Sequence, residues 1–524
     1  MNDHPPTQNS LSDEEKMGLL DNRSLSDRSL SDAESDNSHN DLESRLPLTK
    51  WAGPVLAPVE YLRSTPWRVF LVRFAWFLIP SFLQSRFTRE QARPVKLAPT
   101  AYLDGMRGVA ALVVLFCHFS YQAFVIAKGW GCDDSHYYFL KLPFLRLWYQ
   151  GPPAVCLFFV ISGYALSYRP LKLIRSRNSQ DFSTTMSSLV FRRGIRLYLP
   201  TAISTLMIVC LIRLGVYEWT RDFAKDRTYM RNVREPHPPR LGSTHEQLGD
   251  WAKDMFQFVH VFGWKTHGGS TNYDQHLWTI PVEFRCSLYL FLTILATARL
   301  RTQYRFLTVT GIMLFTYRNS RWEFLMFLCG MVLAEMDLIR GAHVVPPALP
   351  VEEKVQPPRR QMFQTIIWFI SSILGLYLMS QPDEGGDRTP GWIYLTSLIP
   401  KWWAADKYRY WQCTGAAIFV LSVSRSPNWQ RLFTSAFVQY LGKISYALYL
   451  MHGPVIHTVG YQFEKLAYSL TGIEGNWFNA GFILSSFFVI PTVFWWADVF
   501  WRAVDMPTVK FAKWWENKLI VKAE

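Results

Sequence analysis

The residues best suited to chemistry in this chain sit in two short segments. Residues 101–120, AYLDGMRGVAALVVLFCHFS, carry Asp104 and Arg107 ahead of an apolar run that ends on His118. Eleven residues of α-helix turn through about 1,100°, roughly 20° past three full turns, and rise about 16 Å. Arg107 and His118 therefore share one helical face. Neutral imidazole can accept the proton of an attacking hydroxyl near pH 7. A fixed guanidinium can hold phosphate or orient a carbonyl. The alternative for His118 is a hydrogen bond that ties two helices together. The second segment, HLWTIPVEF at 276–284, places His276 and Glu283 seven residues apart, which on a helix is again one face. Glu283 could orient a histidine, bind an acceptor, or pair with an arginine of a neighbouring helix.

The elements that must position these side chains are membrane helices. Of the 524 residues 49% are hydrophobic and 16% aromatic, and apolar stretches near the bilayer-spanning length of about 20 residues recur. The expected fold class is all-α, a polytopic transmembrane helical bundle of about ten spans. These fall at 106–128, 150–168, 195–214, 277–298, 303–317, 321–338, 362–380, 411–424, 436–459 and 479–502. On this reading His118 lies near mid-membrane, where an ionisable group is costly unless it faces the bundle interior or a watered cavity. Residues 67–84, WRVFLVRFAWFLIPSFLQ, are interrupted by Arg68 and Arg73 and broken by Pro80, so they read as a helix lying in the interface.

Four regions follow along the chain. Residues 1–46 repeat SLSD three times and carry eleven acidic against four basic side chains, the composition of a disordered tail. Its serines ahead of acidic residues are candidates for phosphorylation. Residues 47–99 form a linker with the interfacial helix, 100–502 the membrane domain, and 503–524 a basic tail. The net charge of +14 is concentrated outside the acidic leader. Arg169, Lys172, Arg175, Arg177, Arg192, Arg193 and Arg196 cluster between spans two and three, so that loop is expected in the cytosol, with both termini. The expected location is an endomembrane or the plasma membrane. The long segment 215–276 then forms a small cap on the far side. Such charge is a topology signal, and no nucleic-acid partner is expected.

Several chemistries lack their signatures. No GxSxG elbow, P-loop or HExxH occurs. The seven cysteines show no CxxC pair or metal spacing, so neither a disulfide framework nor a metal site is expected. No basic region followed by an apolar core opens the chain, so insertion is expected to begin with an internal span.

Five segments resemble one family. YLDGMRGVAALVVLFCHF at 102–119 resembles the opening motif of the acyltransferase-3 family of integral membrane acyltransferases. It is followed in the family's order by FFVISGYALS at 158–167, FRRGIRLYLP at 191–200, HLWTIPVEFRCSLYLFL at 276–292 and LGKISYALYLMHGPV at 441–455. The resemblance implies transfer of an acyl group, commonly from acyl-CoA, to a hydroxyl of a carbohydrate, lipid or small molecule, with no bound cofactor. It aligns His118 with the family's catalytic histidine, Arg107 with the motif's arginine, and Glu283 with the glutamate of a "VE" pair. His452 also matches a family position, with a structural role as its alternative. His276 is a candidate for substrate binding. Arg192, Arg193 and Arg196, on the cytosolic side where CoA phosphates would arrive, are candidates for donor binding or simple membrane anchors. Gly163 and Gly442 are expected to permit close helix packing. A competing reading is a polytopic transporter of a lipid or small solute, with Arg107, His118 and Glu283 as its substrate or proton pathway.

Overall fold

A computed structural model describes residues 67–87, 97–261, 269–343, 358–403 and 406–520. The acidic leader 1–46 lies outside them. Helices of seven residues or more are numbered α1 (Trp67–Leu78), α2 (Ser81–Phe87), α3 (Ala101–Ser120), α4 (Gly151–Arg175), α5 (Ser179–Arg213), α6 (Thr244–Val259), α7 (Thr279–Thr297), α8 (Thr302–Arg318), α9 (Trp322–Arg340), α10 (Pro358–Met379), α11 (Arg409–Arg425), α12 (Pro427–Phe433), α13 (Ala436–Val455), α14 (Tyr461–Thr471), α15 (Gly475–Phe500) and α16 (Met506–Leu519). Among the described residues no strand forms. Among the described residues six helical segments are long and apolar enough to cross a membrane: Ala101–Ser120, Gly151–Arg175, Ser179–Arg213, Gln275–Thr297, Arg359–Met379 and Gly475–Leu519. The other four expected spans are also helical, as α8, α9, α11 and α13, but are shorter or more polar.

The chain divides into two compact units. In the first, Trp67–Trp76 is helical and exposes Trp67, Val69, Leu71, Val72, Phe74 and Trp76. The second comprises 77–93 and 101–524 and holds the bundle. Within it, the chain at the Pro80 break is fastened to α15. Ser81 bonds Asp498 through its backbone N–H at 3.0 Å, Trp495 donates to Leu78 O at 2.6 Å, and Arg502 donates to Ile79 O at 3.0 Å.

Small residues set how closely the helices approach, as membrane bundles require in the absence of a hydrophobic drive between helices. α3 packs on α13, and a Cβ added at Gly108 would lie 2.4 Å from Gly442 N. α4 packs on α9, and a Cβ at Gly163 would lie 2.2 Å from Phe327 O. Gly163 and Gly442 thus serve the packing role expected of them. The α3–α13 contact matters most here, because it holds the helix of His118 beside the helix of His452.

One end of the bundle is covered by residues 215–261 and 269–276. Its helix α6 starts on a capping box: Ser243 Oγ accepts from Glu246 N at 3.1 Å, and Glu246 returns the bond to Ser243 N at 3.1 Å. Asn232 Nδ2 donates to Tyr121 O at 2.7 Å, and Thr220 Oγ1 donates to His457 O at 2.7 Å. This segment therefore clamps the ends of both α3 and α13.

α13 runs through a π turn, Ile456–Gly460, directly into α14. On α14, Glu464 is buried without an ion-pair partner among the described residues. Desolvation pushes its carboxyl up to about 8. A carboxyl raised in the folded state contributes stability that is fully present below its ordinary value of 4.5 and lost as the pH rises through about 8. In detergent the thermal midpoint of the protein is expected to fall between pH 5 and pH 8.5, and Glu464→Gln to reduce that fall. An unchanged pH dependence in a folded Glu464→Gln protein would contradict the assignment.

Candidate active site

Four histidines converge at the capped end. His118 occupies the last turn of α3, His276 the 3-10 turn Gln275–Trp278 that leads into α7, His452 the last turn of α13, and His457 the π turn. The ring centroid of His276 lies 4.2 Å from that of His118, 4.9 Å from His452 and 5.7 Å from His457. His118 and His452 are 5.1 Å apart. Five residues of regular α-helix would leave His452 and His457 about 140° apart. The wider π turn brings them back toward one side, the kind of local departure that marks functional sites.

Neighbouring groups fix these rings. Asp274 Oδ1 accepts from His276 Nδ1 at 2.7 Å and from its backbone N–H at 3.0 Å. Asp274 is itself held by Thr271 Oγ1, which accepts from its N–H at 2.9 Å, and by Ser270 Oγ, which donates to its carbonyl at 2.9 Å. With Nδ1 donating, Nε2 of His276 faces inward. His452 Nδ1 donates to Tyr449 O at 2.7 Å, so its Nε2 also faces inward, buried and without a hydrogen-bond partner. His118 Nδ1 is buried and unbonded as well.

Glu235, brought in by the capping segment, completes the cluster. Its Oε2 accepts from Gln122 Nε2 at 2.8 Å and from His457 Nε2 at 2.8 Å. It lies 3.2 Å from His276 Nε2, within ion-pair range but off the line of a hydrogen bond. Tyr461 OH donates to Gln122 Oε1 at 2.7 Å and so orients the amide. Burial disfavours ionisation of Glu235, but the His276 and His457 rings outweigh it and hold the carboxyl well below the usual carboxylate range. A small cleft reaches the cluster, lined by Tyr217, Glu235, Asn272, Asp274, His276 and His457 among others.

The remaining expected residues gather elsewhere. Arg107, three turns before His118, is partly exposed; it donates from Nε to Ser445 Oγ at 3.1 Å and lies 3.3 Å from Asp104. Arg193 pairs with Glu283 at 2.6 Å and donates to Ser287 Oγ at 3.0 Å, while Ser162 Oγ donates to Glu283 at 2.9 Å. Arg192 meets Glu516 of α16 at 3.2 Å. Arg196 and Arg107 are both within electrostatic reach of Asp505. The three arginines lie inside α5, which begins earlier than expected, at Ser179 behind the cap Asn178.

Two expectations change. His276 and Glu283 do not share a helical face, because His276 stands in a 3-10 turn and α7 starts only at Thr279. Glu283 pairs with Arg193 of the neighbouring helix, and the residue that orients a histidine is Asp274. His118 lies two residues from the end of α3, not midway along a span, because α3 stops at Ser120. Glu235, Asp274 and His457 went unnoticed in the sequence. Only Asp274, two residues before His276, had a local signal. Two groups of described residues could each hold a metal ion, with one atom per residue all within 4.8 Å: His118, His276 and His452, and Glu235, His276 and His457.

A helical membrane bundle that gathers four histidines and two buried carboxylates at one end, with Arg107 three turns away, has the parts of a membrane group-transfer enzyme. The acyltransferase-3 family profile, described as "Acyltransferase domain", matches residues 100–502, and the chain belongs to that family. It is similar to O-acetyltransferase PaAT-1 of Phomopsis amygdali, 31% identical over 465 residues, 84% of this chain and 88% of that protein. It is also similar to Acyltransferase R4 of a Phoma species, 26% identical over 450 residues, and Acyltransferase clz18 of Cochliobolus lunatus, 26% over 451; each match covers 78% of this chain and 94% of the relative. No solved structure matches the chain. The protein is therefore a multi-pass membrane acyltransferase.

Gly453 gives a direct probe of the cluster. A Cβ there would stand 2.8 Å from His276 Nδ1 and 2.9 Å from Asp274 Oδ2, against the hydrogen bond that orients His276. Misplacing a catalytic group by about 1 Å can cost on the order of 100-fold in rate. Gly453→Ala is expected to lower turnover at least tenfold at normal membrane abundance. Turnover within twofold of the parent would show that the orientation of His276 is unimportant.

Proposed function

We propose that the protein is an O-acyltransferase that takes an acyl group from acyl-CoA and passes it to a hydroxyl, with His118 as general base. The observation that carries this reading is the shared face of α3. Arg107 stands at the second turn of the helix and His118 in its last, about 16 Å apart along the axis, a distance that an extended pantetheine arm can bridge. CoA phosphates would meet Arg107, with Arg193 and Arg196 adding positive charge and Arg192 a candidate contact beside them, while the thioester reaches the histidines. The donor end is taken as cytosolic, with both termini on that side, from the basic residues around it.

In the proposed step the acceptor hydroxyl gives its proton to His118, and its oxygen attacks the thioester carbonyl. The C–O bond forms, the C–S bond breaks, and the departing thiolate takes up the proton. Products are the ester and free CoA. His276, oriented by Asp274, lies beside His118 and can stabilise charge at the reacting carbonyl or bind the acceptor. Glu283 acts indirectly, by fixing Arg193. The similarity to a protein named as an O-acetyltransferase makes acetyl-CoA the first donor to test.

Removing a general base typically costs about 10²- to 10⁴-fold. His118→Ala is expected to lose turnover by that factor while still inserting and binding acyl-CoA. Arg107→Ala is expected to raise the donor KM, with partial rescue by Arg107→Lys, which keeps the charge without the planar fork. Near-normal turnover in an inserted His118→Ala protein would remove the assignment.

A further inference from the structure

We propose that Glu235, His276 and His457 form a zinc site whose open position faces the cleft. The inference deepens the acyl-transfer reading, on which its chemistry rests, by naming a cofactor for the same site. It runs against the absence of metal spacing in the sequence. That absence has a simple cause: the ligands come from the capping segment, the turn before α7 and the π turn after α13, and no local motif joins them.

Three observations converge on the site. The first is ligand geometry. Ligands bound to zinc tetrahedrally at about 2.0–2.1 Å stand about 3.3 Å from one another. Glu235 Oε2 lies 3.2 Å from His276 Nε2 and 2.8 Å from His457 Nε2, and the three atoms fall within 4.8 Å of one another. Two histidines and one glutamate are an established catalytic zinc set, which leaves the fourth position for water or substrate. The cleft is lined by all three residues.

The second is the surrounding shell. A histidine that binds metal usually donates its other ring N–H to a carboxylate or carbonyl, which fixes the tautomer. His276 does so to Asp274 at 2.7 Å, leaving Nε2 buried, without a hydrogen-bond partner and directed at the site. The Glu235 carboxylate is oriented by Gln122, and Gln122 by Tyr461.

The third is charge. Asp274 and Glu235 are both buried, and their partners are imidazoles, an amide and a backbone N–H. Buried carboxylates require compensation. A divalent cation supplies it in full, whereas protons alone would require two charged imidazoles in contact. The other group, His118, His276 and His452, brings no negative charge, and it would occupy His118. Ligation by Glu235, His276 and His457 leaves His118 free to act as base, and the ion then takes over the charge-stabilising or acceptor-binding role given above to His276, whose two ring nitrogens are both engaged. The acceptor hydroxyl oxygen would then take the open position on the ion, which makes its proton easier to remove, and the proton passes to His118 as before.

The test uses the full-length protein, purified in detergent from zinc-replete cells without chelator, and elemental analysis. The expected result is close to one zinc per chain, removed by a strong chelator together with turnover, and both restored by zinc but not magnesium. Metal-free protein should take up cobalt(II) and show the visible absorption of a tetrahedral site. Glu235→Gln and His457→Ala should lose the metal, and Asp274→Asn should bind it about 10- to 100-fold more weakly. His118→Ala should keep full zinc while losing turnover. Wild-type protein that contains no zinc, gains no cobalt absorption and turns over normally after chelation would overturn the site. Loss of zinc in His118→Ala, or its retention in Glu235→Gln/His457→Ala, would overturn the ligand assignment. Zinc bound by the three ligands without any acyl transfer would support the site and overturn only the reaction.

Discussion

The arrangement depends on one ring. His276 is bonded to Asp274 through Nδ1 and faces Glu235 through Nε2, with His118, His452 and His457 around it. Buried charge of this kind is destabilising unless each group meets a partner, and here, Asp274 apart, the groups around His276 come from α3, the capping segment and the α13–π turn. The cost of leaving any one of them unsatisfied is what locks the capping segment, the turn before α7 and the π turn onto the end of α3. Gly453 belongs to the same constraint, since any larger residue would intrude on the His276–Asp274 bond.

The proposed mechanism uses both halves of α3. The partly exposed Arg107 carries fixed positive charge and shares the neighbourhood of Asp505 with Arg196, and the His118 end carries titratable groups. In the proposed reaction, charge that would attract the donor's phosphates is thereby kept apart from groups that would exchange protons. Glycines let α13 lie closely against the helix between them. That separation suits a long donor whose recognition element and reactive carbonyl are far apart.

Much of this was legible in sequence because membrane helices advertise themselves. The apolar runs located the helices, and the three-turn spacing of Arg107 and His118 holds because α3 is regular over its whole length. The pairing of His276 with Glu283 failed for a local reason: a 3-10 turn interrupts the periodicity on which the argument relied. Glu235 was not legible at all. It sits in a polar segment with no periodic pattern, and only the tertiary closure of that segment over the helix ends carries it to the histidines. His457 was hidden by the π turn, since helical spacing from His452 points it away from the cluster. Asp274 could have been noticed, because a carboxylate two residues from a histidine can reach its ring when the chain turns tightly. The chain's membership of the acyltransferase-3 family adds the class of reaction, and the structure adds which side chains meet.

The central claim is covalent acyl transfer at this cluster. Its most direct measurement gives the purified protein, in detergent with no compartments to separate, acyl-labelled acetyl-CoA and a panel of hydroxyl-bearing carbohydrates, lipids and small molecules. The account predicts that label appears in an ester of at least one acceptor, with one free CoA released per ester and no ester formed by His118→Ala. An active preparation that binds an acceptor yet returns it unmodified, with the label still on CoA, would contradict it.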